Sequence, residues 1–222
     1  MEERYPCPKL TPKQWIENFW YYNKWYVLVA IVFLSLIAIA TVQFFKKSDA
    51  DASILYAGAT ILSDDCCEKV INSAQEKLFD VNDDGKVIVE MQNFVLCSDF
   101  DLLKNEGQRI QAREEFQAYS DEILSGDGCI LLLDEYYYSE LAQNGALVNL
   151  YEIYEELPKS AVDYFGFRLG DTSLYKLDGF SSLPEDTFVC LKFAPVVGKD
   201  SSEEKAIRDQ YNRELFKSLI GD

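Results

Sequence analysis

Apolar residues in this chain fall into one long run and several short ones, and the spacing within each run predicts an element. Residues 26–45 (YVLVAIVFLSLIAIATVQFF) make 20 positions with no charge and one Gln. As a helix rising ~1.5 Å per residue, they match the ~30 Å hydrocarbon core of a bilayer. Beyond residue 51 the runs shorten. Residues 52–57 (ASILYA) read as a buried strand ending at Gly58. A helix follows from Ser63, with Cys67, Val70, Ile71, Ala74 and Leu78 on one stripe. After a turn at 82–85, the β-branched stretch 86–97 reads as a second strand. Residues 106–125 read as a helix with Ala112, Phe116, Tyr119 and Ile123 on one face, broken at 126–128. CILLL at 129–133 is a short continuous apolar strand of the kind buried on both faces of a parallel sheet.

This β-α-β-α-β order predicts an α/β fold, a three-layer domain with a mainly parallel sheet and helices on both sides. Further on, a short helix over 136–141 ends at Asn144-Gly145. Residues 147–157 and 160–167 read as short helical pieces, 172–177 and 187–193 as strands for which antiparallel pairing is open, and 201–219 as a closing helix. The predicted organisation is a leader at 1–25, a transmembrane helix at 26–45, a linker at 46–51 and one α/β domain at 52–222.

Charge orients that picture. Arg4, Lys9, Lys13 and Lys24 precede the apolar run, and only Lys46 and Lys47 closely follow it. The excess predicts a single-pass cell-membrane protein with a cytoplasmic N-terminus and an extracytoplasmic C-terminal domain. A cleaved signal peptide is the other reading: Ala38-x-Ala40 offers a cleavage site, but the run exceeds a signal h-region. Thr11-Pro12 reads as an N-cap and first helical position. Trp15, Phe19, Trp20, Tyr22, Trp25 and Tyr26 then form either an interfacial aromatic belt or a docking helix for another membrane protein.

Residues 1–47 hold six Lys/Arg against three Asp/Glu, leaving 15 against 35 for the remainder and the overall −17. A domain this acidic repels phosphate backbones, which argues against nucleic acid as a partner. The chain has no His, which removes His-based acid–base catalysis, the Ser-His-Asp and Cys-His systems, and His-containing zinc sites. Of its six Cys, Cys97, Cys129 and Cys190 sit in apolar runs where a free thiol packs as a small hydrophobe. The expectation is mostly free thiols, with at most one bridge.

In residues 126–150 (GDGCILLLDEYYYSELAQNGALVNL) a strand ends in an acid, an aromatic short helix follows, and an apolar piece comes after Asn-Gly. With the preceding β-α-β-α-β order, residues 52–150 resemble one lobe of the extracellular solute-binding proteins of bacterial ABC importers (the type 2 periplasmic-binding-protein fold). The ectodomain is about half the size a two-lobed clamshell needs. The resemblance implies ligand contacts at the carboxyl ends of the strands, where open α/β sheets bind ligands. Those positions are Tyr56, Ala57 and Gly58 after the first strand, and Asp134, Glu135 and Tyr136 after the third. Plain packing is the competing role for the 136–138 tyrosines.

Asp80-Val-Asn82-Asp-Asp84-Gly85-Lys86-Val87 matches the first eight positions of a calcium loop. Asp80, Asn82, Asp84 and the Lys86 carbonyl would wrap a hard cation, and Gly85 would permit the turn. The twelfth position, usually a bidentate Glu, is Met91, and Asp/Asn/Gly clusters also make ordinary turns. Calcium and a plain turn both remain readings. The functional expectation is a non-enzymatic, membrane-anchored binding protein of a bacterial cell envelope, taking a small solute or an ABC transporter or other membrane partner. The alternative is a structural or interaction protein that reuses the fold without a solute.

Overall fold

The computed structural model describes residues 11–45, 50–82, 85–96, 105–126, 129–193 and 202–221. The chain divides into two compact units, Met1–Asp49 and Ala50–Asp222. The first is built on one helix, α1 (Pro12–Phe45). Pro12 opens it at no cost, because the first N–H groups of a helix have no acceptor within it. The Trp15 N–H already donates to the Thr11 carbonyl at 3.0 Å. Trp15 and Phe19, one turn apart, stack with ring centroids 5.6 Å apart.

Among the described residues no helix is long and apolar enough to cross a membrane. The span expected at 26–45 is corrected accordingly, and with it the single-pass, cell-envelope placement. The side chains of Leu36 and of 38–45 lie outside the described residues.

The second unit carries a five-stranded sheet in the order β2-β1-β3-β5-β4. Its elements in chain order are β1 (Ala52–Gly58), α2 (Asp64–Gln75), β2 (Val89–Val95), α3 (Glu106–Ser125), β3 (Ile130–Leu133), α4 (Glu135–Gln143), β4 (Gly166–Arg168), β5 (Phe188–Leu191) and α5 (Ser202–Ile220). β1 pairs in parallel with β2 and with β3, whereas β5 runs antiparallel to both β3 and β4. The fold is α/β as expected, but the sheet is mixed rather than mainly parallel. A parallel neighbour requires a crossover that returns the chain to its starting end. The chain after β3 makes no such return, and β5 starts opposite the residue where β3 stops, Phe188 facing Leu133.

Strand alternation divides the core into two layers. Ile54, Tyr56, Ile130, Leu132 and Val189 meet Val70 and Ala74 of α2 and Leu215, Phe216 and Leu219 of α5. Leu55, Ala57, Leu131, Leu133 and Phe188 meet Tyr119 of α3 and Tyr137, Tyr138 and Leu141 of α4. Helices on both faces explain why ILLL is apolar at every position, since all four residues are fully buried.

The connection from β3 to β5 departs from its sequence reading. Residues Ser173–Lys176 form a 3-10 turn, not a strand. The Thr172 hydroxyl donates to the Leu169 carbonyl at 2.7 Å and the Ser173 hydroxyl to the Ile220 carbonyl at 3.0 Å. The backbone here closes on itself instead, the Thr172 N–H donating to the Leu169 carbonyl at 3.0 Å and the Leu177 N–H to the Leu174 carbonyl at 2.9 Å, in place of a ladder. Within 147–157 only Leu150–Glu152 is helical, and 160–167 runs into β4. Cys66, Cys67, Cys129 and Cys190 are free thiols, three of them buried. Cys7 and Cys97 lie outside the described residues.

Candidate functional site

Because β1 and β3 are parallel, their carboxyl ends meet at one edge of the sheet. There the Asp134 N–H donates to the Ala57 carbonyl at 3.1 Å, joining the two strand ends. Asp134 is also the N-cap of α4, its carboxylate accepting from the Tyr137 N–H at 3.1 Å. This is the preferred capping chemistry, and it turns the chain sharply from strand to helix. The antiparallel β5 enters from the same edge, so the turn before it delivers Asp186 beside Asp134.

Between them opens a shallow cavity of about 750 Å³. Its carboxylates are Asp134, Glu135, Glu140 and Asp186, and Tyr136, Ser139 and Gln143 complete the lining. Among the described residues no Lys or Arg lines it. Burial pushes the Asp134 carboxyl above its usual range, the Tyr137 and Tyr136 N–H groups oppose that, and the Asp186 charge adds to it.

The sign of that shift sets a test. Asp134 binds its proton more tightly folded than unfolded, so its contribution to stability falls as pH rises from its unfolded value through its raised folded one. Above the folded value the cost is fully in place; below the unfolded value it is absent. Asn at an N-cap keeps the acceptor and removes the charge. Asp134→Asn is therefore expected to melt higher than wild type at neutral pH, with the advantage vanishing as both are acidified below about pH 4. Melts across that range check it, and a difference that does not change with pH would overturn it.

The sequence-predicted residues divide between lining and support. Asp134, Glu135 and Tyr136 line the cavity. Tyr56, Ala57 and Gly58 are buried beneath the edge instead. The Tyr56 ring folds back over Gly58, where an added Cβ would come within 2.8 Å of its hydroxyl oxygen. That hydroxyl hydrogen-bonds with Thr60, and burial pushes it above its usual pKa. None of these three residues lines the cavity. Asp186, Glu140 and Ser139 were missed by the sequence reading. The available signals were the Pro184-Glu185-Asp186 turn before an apolar strand, and one-turn spacing from Tyr136 along α4.

The calcium reading is not borne out among the described residues. Among the described residues no group of three or more Asp, Glu, Cys or His is placed to hold a metal ion. Asp84 lies outside them. The Asp80 carboxylate is occupied with backbone, accepting from the Asn82 N–H at 3.1 Å and the Gly85 N–H at 2.6 Å. Asp51 does the same from the base of β1, accepting from the Val81 and Ile88 N–H groups at 2.8 Å each. Met91 at the twelfth position pairs with Ile54 inside the sheet. Lys86 is exposed. Asp51 and Asp80 thus both serve as acceptors for backbone N–H groups of the described part of this loop.

Chemically, the cavity offers acceptors. Four carboxylates can balance positive charge, while a hydroxyl, a phenol and an amide can orient a ligand. No family model, curated protein or solved structure matches this chain.

Proposed function

We propose that the Ala50–Asp222 unit is a non-enzymatic binding domain whose cavity beside Asp134 takes a small organic cation. The observation that carries this reading is the lining, four carboxylates and three neutral hydrogen-bonding side chains around about 750 Å³. Such a volume lies within the usual range for small-molecule pockets. Its position at the carboxyl ends of β1 and β3 is where open α/β sheets bind ligands, and where the resemblance to a solute-binding lobe implies contacts. Binding rather than catalysis is favoured by a chain with no His to pair with a nucleophile.

Thermal melts with arginine, lysine and spermidine, against glutamate and neutral sugars, test the reading. One cation is expected to raise the melting temperature by several degrees, since a ligand at ~100 times its dissociation constant adds ~2.7 kcal/mol. Asp186→Asn and Glu140→Gln are expected to abolish the rise while leaving the unliganded melt within about 1 kcal/mol of wild type. A rise that survives both substitutions, or no rise with any of the cations, would sink it.

A further inference from the structure

α3 is held to the sheet unevenly. Among its described residues Tyr119 alone is buried, while Ile110, Phe116 and Leu124 stand 51%, 37% and 69% exposed. By contrast α2, a shorter helix, buries Cys66, Val70 and Ala74 in succession. The Tyr119 ring lies 6.0 Å from Phe94 of β2 and 5.4 Å from Tyr137 of α4. Its hydroxyl is buried among these groups without a hydrogen-bond partner among the described residues. A lone buried hydroxyl is destabilising, so the buried side chain of the helix body carries its own penalty.

The end of the helix is different. Lys192, just past β5 and 4% exposed, extends its ammonium under the last turn of α3. Its Nζ donates to the carbonyls of Glu122 and Gly126 at 3.0 Å and of Ile123 at 3.2 Å. These include C-terminal carbonyls that lack helical donors. A cation at the negative end of the helix dipole makes strong, charge-assisted bonds to them.

We propose that α3 is a hinged flap. Its body, residues 106–121 with Tyr119, lifts from the sheet while its last turn stays pinned by Lys192, uncovering the aromatic surface of Phe94 and Tyr137. Opening carries the Tyr119 hydroxyl into water, which offsets part of the apolar surface exposed. The uncovered surface adjoins α4, the helix that also lines the acidic cavity.

A lifted helix of this length is marginal on its own and frays, so amide hydrogen exchange on the full chain reads the motion. Amides of 110–121 are expected to exchange at least about tenfold faster than those of α2, with 122–126 slower than the body. Lys192→Met is expected to bring 122–126 up to the rate of the body while β1 and α2 keep theirs. Tyr119→Phe, which removes the unpartnered hydroxyl, is expected to slow exchange across 110–121. A body as protected as α2 in the unmutated chain would overturn the flap, whether or not the variants fold. So would faster exchange in Tyr119→Phe, or a Lys192→Met profile accelerated equally in every element.

Discussion

Gly179→Ala is expected to destabilise the Ala50–Asp222 unit by about 3–4 kcal/mol, read as a drop in the urea midpoint at constant slope. Gly179 has φ +82° and ψ −55°, a region that costs a residue with a Cβ roughly 1–3 kcal/mol. The space around it adds to that cost. A Cβ there would lie 2.6 Å from the Lys69 carbonyl carbon and closer still to the Val70 nitrogen. Both atoms belong to the backbone of α2, which cannot yield without moving the helix. The turn is fastened against it, the Ser73 hydroxyl donating to the Asp178 carbonyl at 2.8 Å. Gly145→Ala separates the two effects. Gly145 has φ +67° with nothing within 4 Å of a built Cβ, and it ends α4 with the Ala146 N–H bonded to the Leu141 carbonyl at 3.0 Å. Strain alone predicts about 1 kcal/mol there. Equal losses at the two sites would show that contact with α2 is not what requires glycine at 179.

Phe167→Ala is expected to cost about 3–5 kcal/mol, a large share of the ~5–15 kcal/mol that holds a domain of this size together. The ring is fully buried. It lies 6.1 Å from Phe216 of α5 and 6.1 Å from Tyr154. It therefore joins a three-residue edge strand to the last helix and to the chain just after the Leu150–Glu152 turn. Truncation removes the transfer term and leaves a space that three separate segments would have to close. Chemical denaturation checks it, and a loss below about 1 kcal/mol would mean that the site collapses readily or that the strand is held by other means.

The elements with strong periodicity were legible in the sequence. β1, α2, β2, α3, β3 and α5 all fall where apolar spacing and turn residues put them, although α3 leaves Phe116 and α5 leaves Ile207 and Tyr211 exposed. Strand direction was not legible. FVCL in β5 has the same apolar pattern in either orientation, and only the path from residue 134 to 187 decides between them. The 3-10 turn over Ser173–Lys176 was misread because local backbone bonds replaced the ladder that the apolar alternation suggested. Asp134, Glu135 and Tyr136 were named from the resemblance and a rule about strand ends, while Asp186 is 52 positions from Asp134 and only the sheet order brings it near. The 80–87 loop carries two readings because the aspartate oxygens that could hold a cation serve equally well as acceptors for backbone N–H groups.

β5 sits between β3 and β4 and bonds to both, yet it is the last strand to leave the ribosome. Until residue 191 is available, β4 lacks the strand it pairs with, and β3 keeps one side of its ILLL backbone unpaired among the described residues. An apolar strand with an open edge invites pairing with another chain. The vulnerable period of this protein is thus set by synthesis order: a ribosome stalled before residue 188 holds a sheet with its most adhesive edge uncovered, and such chains are the ones expected to need a chaperone.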